Sequence, residues 1–224
     1  LIRGVRGTAG RRLVSVGGQG ADVPDSALEA LARLPGGHGV SLDRRVRGTL
    51  ERTGATIGAT FVRETLGLDG AGVGIAVIDS GVTSWHDDLG STRVSRFVDF
   101  VRFEAAPYDD YGHGTHVAGI IAARNNSIGT LGIAANAFVC AVRVLGANGS
   151  GQFSWIINGV DYVAANGVAG EVANMSLGAS GSNATLEQAV LDASAVVKFS
   201  LAAGNNGANA NNFSPARVNG PNIY

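Results

Sequence analysis

Two segments carry side chains that could act together on a substrate. They are Asp79-Ser80-Gly81 and Asp110-Tyr111-Gly112-His113-Gly114-Thr115-His116-Val117-Ala118-Gly119. Asp79 closes the apolar run Val73 to Ile78, and a carboxylate at the end of a buried strand is costly unless a partner compensates it. An isolated Asp-Ser-Gly has a simpler use, capping a turn or a helix. His113 opens a helix, where the dipole disfavours an imidazolium. That placement makes sense if a carboxylate holds the ring and stabilises its charged form. Asp79 and His113 are therefore candidates for an orienting acid and a general base. His113 and His116 could instead form half of a zinc site. Helical metal pairs usually take the form His-Glu-x-x-His, and this segment has no Glu, so the metal reading is the weaker one.

The elements that must position these residues alternate between strands and helices. Val73 to Ile78, Phe138 to Leu145, Val172 to Leu177 and Val196 to Ala203 read as buried strands. His116 to Ala123 is apolar on all sides and reads as a buried helix. Ile156, Ile157, Val160 and Val163 mark an amphipathic helix, and Leu186 to Leu191 another with Asn183 as its cap. Phe61, Val62 and Leu66 suggest a short helix. This alternation predicts an α/β fold with a doubly wound, mostly parallel sheet and helices on both faces. In such sheets ligands bind beyond the carboxyl ends of the strands. Asp79-Ser80-Gly81, Asn174-Met175-Ser176-Leu177-Gly178 and Ala203-Gly204-Asn205 all fall there.

Residues 11–47 differ. Leu13, Val14 and Val16 read as a strand, Ser26 and Glu29 as a capping box, Leu28, Leu31 and Leu34 as a helix face, Pro35-Gly36-Gly37 as its stop, and Val40 and Leu42 as a second strand. The expected division is residues 1–50 as a small α+β piece and 51–224 as the main domain. That small piece is too small to be stable alone.

The 224 residues include 45% hydrophobic side chains, enough for a globular core, and the formal net charge is −1. Arg44, Arg45 and Arg47 are the densest basic run, too short to indicate a nucleic-acid or membrane partner. No apolar run reaches the roughly 20 residues needed to span a bilayer. Cys140 is the single cysteine, so no disulfide can form within the chain. A monomer is expected.

Val77-Ile78-Asp79-Ser80-Gly81, Gly112 to Gly119, Asn174 to Gly178 and Ala202-Ala203-Gly204-Asn205 together resemble the subtilisin family of serine endopeptidases, in the family's order. The stretch from Asn125-Asn126-Ser127-Ile128-Gly129 through Val144-Leu145-Gly146 to Ser154-Trp155-Ile156-Ile157-Asn158-Gly159 is similar to bacterial subtilisins. Ala203 to Asn206 with Asn212 to Ala216 resembles the proteinase K branch. The resemblance covers about residues 55–220. It implies Asp79 as the triad aspartate, His113 as the general base, Asn205 as the oxyanion-hole amide and His116 as a structural core histidine. An oxyanion-hole amide is worth roughly 3 kcal/mol in this family. Gly149, Ser150, Gly151, Ser176, Leu177 and Gly178 would pair with an extended protein or peptide substrate by strand addition. Gly178 and Ala179, opposite Ala202, Ala203 and Gly204, would border a wide, uncharged primary pocket. A structural Ca²⁺ is implied, held by Asp88, the Asn126 side chain and the carbonyls of Arg124, Ile128 and Thr130. The family also uses a glutamine, which has no counterpart here.

The family's nucleophile lies in Gly-Thr-Ser. Here Gly-Thr occurs at Gly7, Gly48, Gly114 and Gly129, followed by Ala, Leu, His and Leu. The triad serine is thus absent from these 224 residues, and the expectation is a sequence incomplete at its C-terminus that begins inside a longer precursor. Residues 1–50 resemble part of the family's inhibitory propeptide, so the protein's own propeptide is an expected partner and a secreted zymogen the expected form. Lys198 departs from the pattern, as a charge inside an expected buried strand. The rival reading is a catalytically inactive binding protein that keeps the cleft. For the protease reading, Asp79 and His113 Nδ1 should meet within about 2.6–3.2 Å, a distance that coordinates check directly.

Overall fold

The computed structural model describes residues 6–13, 18–33, 50–90 and 92–224. Two compact units divide the chain, Leu1–Arg47 and Gly48–Tyr224. In the first, β1 (Thr8–Leu13) and β2 (Gly18–Asp22) form an antiparallel pair, followed by α1 (Asp25–Ala32). The expected first strand begins earlier than Leu13, while Val14 and Val16, Pro35-Gly36-Gly37 and the strand at Val40 and Leu42 lie outside the described residues. The Ser26–Glu29 capping box does not form. The helix is entered two residues too early for it, from an N-cap at Pro24 without a side-chain cap, and Glu29 pairs instead with Arg33 one turn on.

The second unit starts with α2 (Leu50–Thr56) and α3 (Ala59–Leu66), the latter closed by Gly67 in the left-handed region at φ 67°. The central sheet contains β3 (Gly74–Asp79), β4 (Val94–Asp99), β5 (Phe138–Arg143), β6 (Val172–Met175) and β8 (Lys198–Leu201), all parallel, in the order β4-β5-β3-β6-β8. A two-residue antiparallel ladder joins β7 (Ala179–Ser180) to β9 (Phe213–Ser214). The helices are α4 (His113–Ala122), α5 (Phe153–Asn166) and α6 (Ala184–Ala193).

Alternation along the strands fixes the layers. Ala76 and Ile78 of β3, with Val142 and Val144 after them in space, pack on Ile156, Val160 and Val163 of α5 and on α6. Val77, Val139 and Ala141 face the other way, onto Ala118 and Ala122 of α4. Helices therefore cover both faces, as a doubly wound sheet requires. The crossovers β4-α4-β5 and β5-α5-β6 advance in the same direction but lie on opposite faces, so they are of opposite hand. A crossover of the rarer left hand is thus built into the sheet.

Small residues decide how closely these layers meet. A Cβ on Gly159 would lie 2.6 Å from Val144 Cγ1, so only glycine lets α5 approach β5 here. α4 is buried along one face only, through Gly114, Ala118 and Ala122. Ile120, on the opposite side, is 42% exposed, so all-round apolar composition did not mean all-round burial. At α6, Asn183 accepts from Leu186 N–H at 2.9 Å while Glu187 accepts from Asn183 N–H at 3.1 Å, a reciprocal cap. Lys198 opens the edge strand β8 with its side chain exposed, so no charge is buried there.

Phe199 is fully buried at the centre of the α5–α6 core. Phe199→Ala is expected to lower unfolding stability by about 3–5 kcal/mol, read from urea unfolding followed by circular dichroism.

Candidate active site

The carboxyl end of β3 places Asp79 in the sheet's centre, 0% exposed. Its Oδ1 accepts from Ser80 N–H at 2.7 Å and lies 2.8 Å from His113 Nδ1; its Oδ2 is buried without a hydrogen-bond partner. Burial pushes the Asp79 carboxyl above its ordinary value, with the His113 and Ser80 hydrogen bonds opposing that rise. Engaging Nδ1 leaves Nε2 as the ring nitrogen free to take a proton.

His113 is the first residue of α4, and the orphan amides of that helix end explain why the chain folds this way. Gly112 enters at φ 93°. Gly114 N–H donates to Ser80 Oγ at 2.9 Å, and Ser80 Oγ donates to Asp109 Oδ1 at 2.9 Å. Asp109 also accepts from Gly112 N–H at 2.8 Å, Thr115 N–H at 2.8 Å and Thr115 Oγ1 at 2.7 Å. Desolvation pushes the Asp109 carboxyl up, but these donors outweigh it and hold it below the usual range. A Cβ on Gly114 would collide with the Gly81 carbonyl and lie 3.1 Å from Asp79 Cβ, so glycine is required for α4 to reach β3. The helix end is thus capped by the strand end that carries Asp79.

A cavity of about 370 Å³ opens beside His113. All six segment residues expected to meet a substrate line it: Gly149, Ser150 and Gly151 on one side, Ser176, Leu177 and Gly178 on the other. Ala179, Tyr111, Phe153 and Ile156 are among its other walls. Gly149 sits at φ 72° with the Tyr111 ring packed where a Cβ would be. Ala202, Ala203, Gly204 and Asn205 are exposed in the loop after β8 and do not line this cavity. His116 is exposed, not a core histidine, because the buried face of α4 runs through Gly114, Ala118 and Ala122. A second cavity, about 410 Å³, lies at the amino ends of the strands and includes Cys140. Burial pushes that thiol to about 11, so it is no thiolate nucleophile at neutral pH.

The loop 124–130 interrupts the path of α4: Ile133 and Ala134 N–H return to the carbonyls of Ile120 and Ile121 at 3.0 and 2.8 Å, as a continuing helix would. It wraps around Asp88, which is 3% exposed. Arg124 N–H donates to the Asp88 carbonyl at 3.2 Å and Asn126 Nδ2 to Asp88 Oδ1 at 2.9 Å, while Asn126 Oδ1 accepts from Ile128 N–H at 3.2 Å. Ser127 and Gly129 both have positive φ, and a Cβ on Gly129 would fall on Asp88 Oδ2. Asp88 is a buried carboxylate met by N–H groups of this loop, and a hard cation such as Ca²⁺ would sit there only with the Asn126 amide turned to present its oxygen.

Sequence reasoning missed Arg143. The last residue of β5, it is 0% exposed, with Asp99, Asp110, Tyr108 and the Ser80 carbonyl around its guanidinium. The signal was an arginine in register with Asp79 at the end of an apolar strand.

The subtilase family, peptidase S8, matches residues 70–221. The chain is 49% identical over 152 residues to an alkaline protease of Alkalihalobacillus alcalophilus, covering 67% of this chain and 38% of that protein. It is equally identical over 152 residues to subtilisin Savinase of Lederbergia lenta, covering 54% of the latter. Subtilisin E of Bacillus subtilis strain 168 is 48% identical over 143 residues, covering 63% of this chain and 36% of that protein. The chain thus spans roughly a third to just over half of these relatives. The crystal structure of a cold adapted subtilisin-like serine proteinase matches with a TM-score of 0.60 and 39% identity, over 84% of this chain and 60% of that one.

Asp109 binds its donors only as a carboxylate. Because its folded pKa is depressed, its contribution is full above its unfolded value near 4 and is lost as pH falls through the folded value. Asp109→Asn should lower stability at pH 7 by about 1–3 kcal/mol and reduce the loss of stability on acidification, both read from urea unfolding at several pH values.

Proposed function

The chain belongs to the subtilase family, and we propose that it serves a serine endopeptidase that cleaves peptide bonds with an Asp–His–Ser triad. Asp79 and His113 come from these 224 residues and the serine from outside them. The observation that carries the proposal is the 2.8 Å Asp79–His113 contact beside a cavity lined by Gly149 to Gly151 on one side and Ser176 to Gly178 on the other. A binding protein that merely kept the cleft has no need of a buried carboxylate held against an imidazole.

In this mechanism His113 Nε2 takes the serine hydroxyl proton as the serine attacks the scissile carbonyl, then delivers it to the leaving amine. Asp79 keeps the proton on Nδ1 and stabilises the imidazolium formed in between. Its burial strengthens that interaction, since little water screens it. Gly149 to Gly151 and Ser176 to Gly178 hold the substrate as an added strand between them. Asn205 supplies an amide to the oxyanion, a role supported by the Ala203-Gly204-Asn205 motif beyond the carboxyl end of β8. Secretion, synthesis as an inactive precursor and an inhibitory role for residues 1–50 belong to the same proposal. The hairpin and helix of the first unit suit such a module. Among the described residues no helix is long and apolar enough to cross a membrane.

Asp88, the Asn126 side chain and the carbonyls of Arg124, Ile128 and Thr130 would hold the structural Ca²⁺. Bound there, the ion would neutralise a buried carboxylate and tie the loop to the segment that carries Asp88.

Two measurements test these roles. The purified 224-residue chain should hydrolyse no chromogenic peptide, whereas the full-length precursor should mature to an enzyme inactivated by a serine-directed fluorophosphonate. His113→Ala in that precursor should lower kcat/KM by at least about a hundredfold. Robust cleavage by the 224-residue chain would overturn the missing-serine assignment. Thermal unfolding with calcium and with a chelator tests the ion. A free concentration a hundred times Kd should stabilise the chain by about 2.7 kcal/mol, and Asp88→Ala should abolish the difference. Equal midpoints would remove the calcium assignment and leave catalysis untouched.

A further inference from the structure

We infer that Arg143 is the positioning residue that holds Asp79 and His113 in register, by clamping the turn after Asp79 to the loop before His113. The inference deepens the catalytic reading and rests on it for its significance. Its geometry stands independently. Arg143 lies opposite Asp79 in the β3–β5 ladder and opposite Asp99 in the β4–β5 ladder. Its side chain therefore runs along the carboxyl edge of the sheet, beneath the site.

Each arm of the guanidinium goes to a different segment. Nε donates to the Ser80 carbonyl at 3.0 Å, the residue directly after Asp79. Nη2 donates to Asp110 Oδ1 at 2.7 Å, three residues before His113. Nη1 faces Asp99 Oδ1 and Oδ2 at 3.3 and 3.5 Å. The Tyr108 ring covers the group, with Arg143 Cζ 4.5 Å from its centroid, and Tyr108 Oη donates to Asp99 Oδ2 at 2.9 Å. Asp99 in turn accepts from Val101 and Arg102 N–H at 2.8 and 3.1 Å.

Removal of this cation would leave Asp99 and Asp110 facing a carbonyl oxygen at the sheet edge and take away one of the two straps between the catalytic segments. Asp109 supplies a second strap between the same segments, through Ser80 Oγ. That strap fixes the helix end against the strand but reaches Ser80 through its side chain. Arg143 fixes the Ser80 peptide itself, and hence the direction in which Asp79 Oδ1 meets the imidazole. A lysine could place a charge here, but not three donors in one plane aimed at three segments.

The test is proton NMR on the 224-residue chain, which needs no catalysis. A hydrogen bond between Nδ1–H and a carboxylate gives a low-field proton shielded from water, so the parent should show one such signal that disappears in His113→Ala. In Arg143→Lys its exchange with water should quicken at least tenfold, while the amide peaks of β3 and β5 keep their positions. Asp110 is partly exposed, so Asp110→Asn is expected to fold in any case, and it should quicken the same exchange to a smaller degree. Lys198→Gln, on the exposed edge strand, should change nothing. A signal as protected in Asp110→Asn as in the parent would overturn the inference. So would a loss in Arg143→Lys that occurs only together with the β3 and β5 amide dispersion, since the role would then be structural. A parent chain without the low-field signal would overturn the Asp79–His113 pairing itself, and the inference with it.

Discussion

The arrangement depends on keeping a carboxylate dry. Asp79 ends the most buried strand of the sheet, with one oxygen shared between an amide and an imidazole and the other without a partner. Such a group is tolerable only where nearby donors are fixed, because each donor that drifts away leaves a desolvated charge. The surrounding structure supplies that fixity. α4 is capped from the strand it packs on, Gly114 lets the two backbones touch, Gly81 makes room for the Tyr108 carbonyl, and the Asp109 cluster closes the loop between them. Helix placement, glycine choice and acidic side chains all serve one short contact.

Much of this was legible in the sequence, for a physical reason. Strands buried on both faces read as continuous apolar runs, so β3 and β5 stood out, with Asp79 at the carboxyl end of β3; β6 and β8 were legible as shorter apolar stretches although β8 is a half-exposed edge. Asn183 was legible as a cap because its side chain is chosen locally. β4 was not legible, since its Val94-Ser95-Arg96-Phe97-Val98-Asp99 mixes exposed and buried positions and carries a register irregularity between Val94 and Arg96. The Ser26–Glu29 box shows the reverse error, a local pattern with the right spacing that the chain does not use.

Arg143 and His116 failed for a deeper reason. Whether a polar residue is buried depends on what neighbouring strands and loops bring to it. Asp99 and Asp110 come from elements whose placement the sequence does not announce. Asp79 and His113 formed a legible pair only because each was costly alone where it stood, and the cost pointed to a partner. A lone arginine at a strand end is cheap in water, so its place after an apolar run was too weak a signal to point to a partner.

The position of β3 also governs the order in which the molecule can be assembled. Ile75 pairs with Val139 on one side and with Val172 on the other, 64 and 97 positions later in the chain. At ribosomal rates of about 5–20 residues per second, roughly 5–20 s separate synthesis of the central strand from that of its second neighbour. Throughout that interval Ile75, Val77 and Ile78 have no complete ladder to join. Closing such long loops is slow even afterwards, since their entropy must be lost before parallel pairing repays it. The rule that makes the centre of the sheet the best place for a catalytic carboxylate also keeps its strand waiting for a neighbour made much later, and leaves an apolar segment open to wrong partners for seconds.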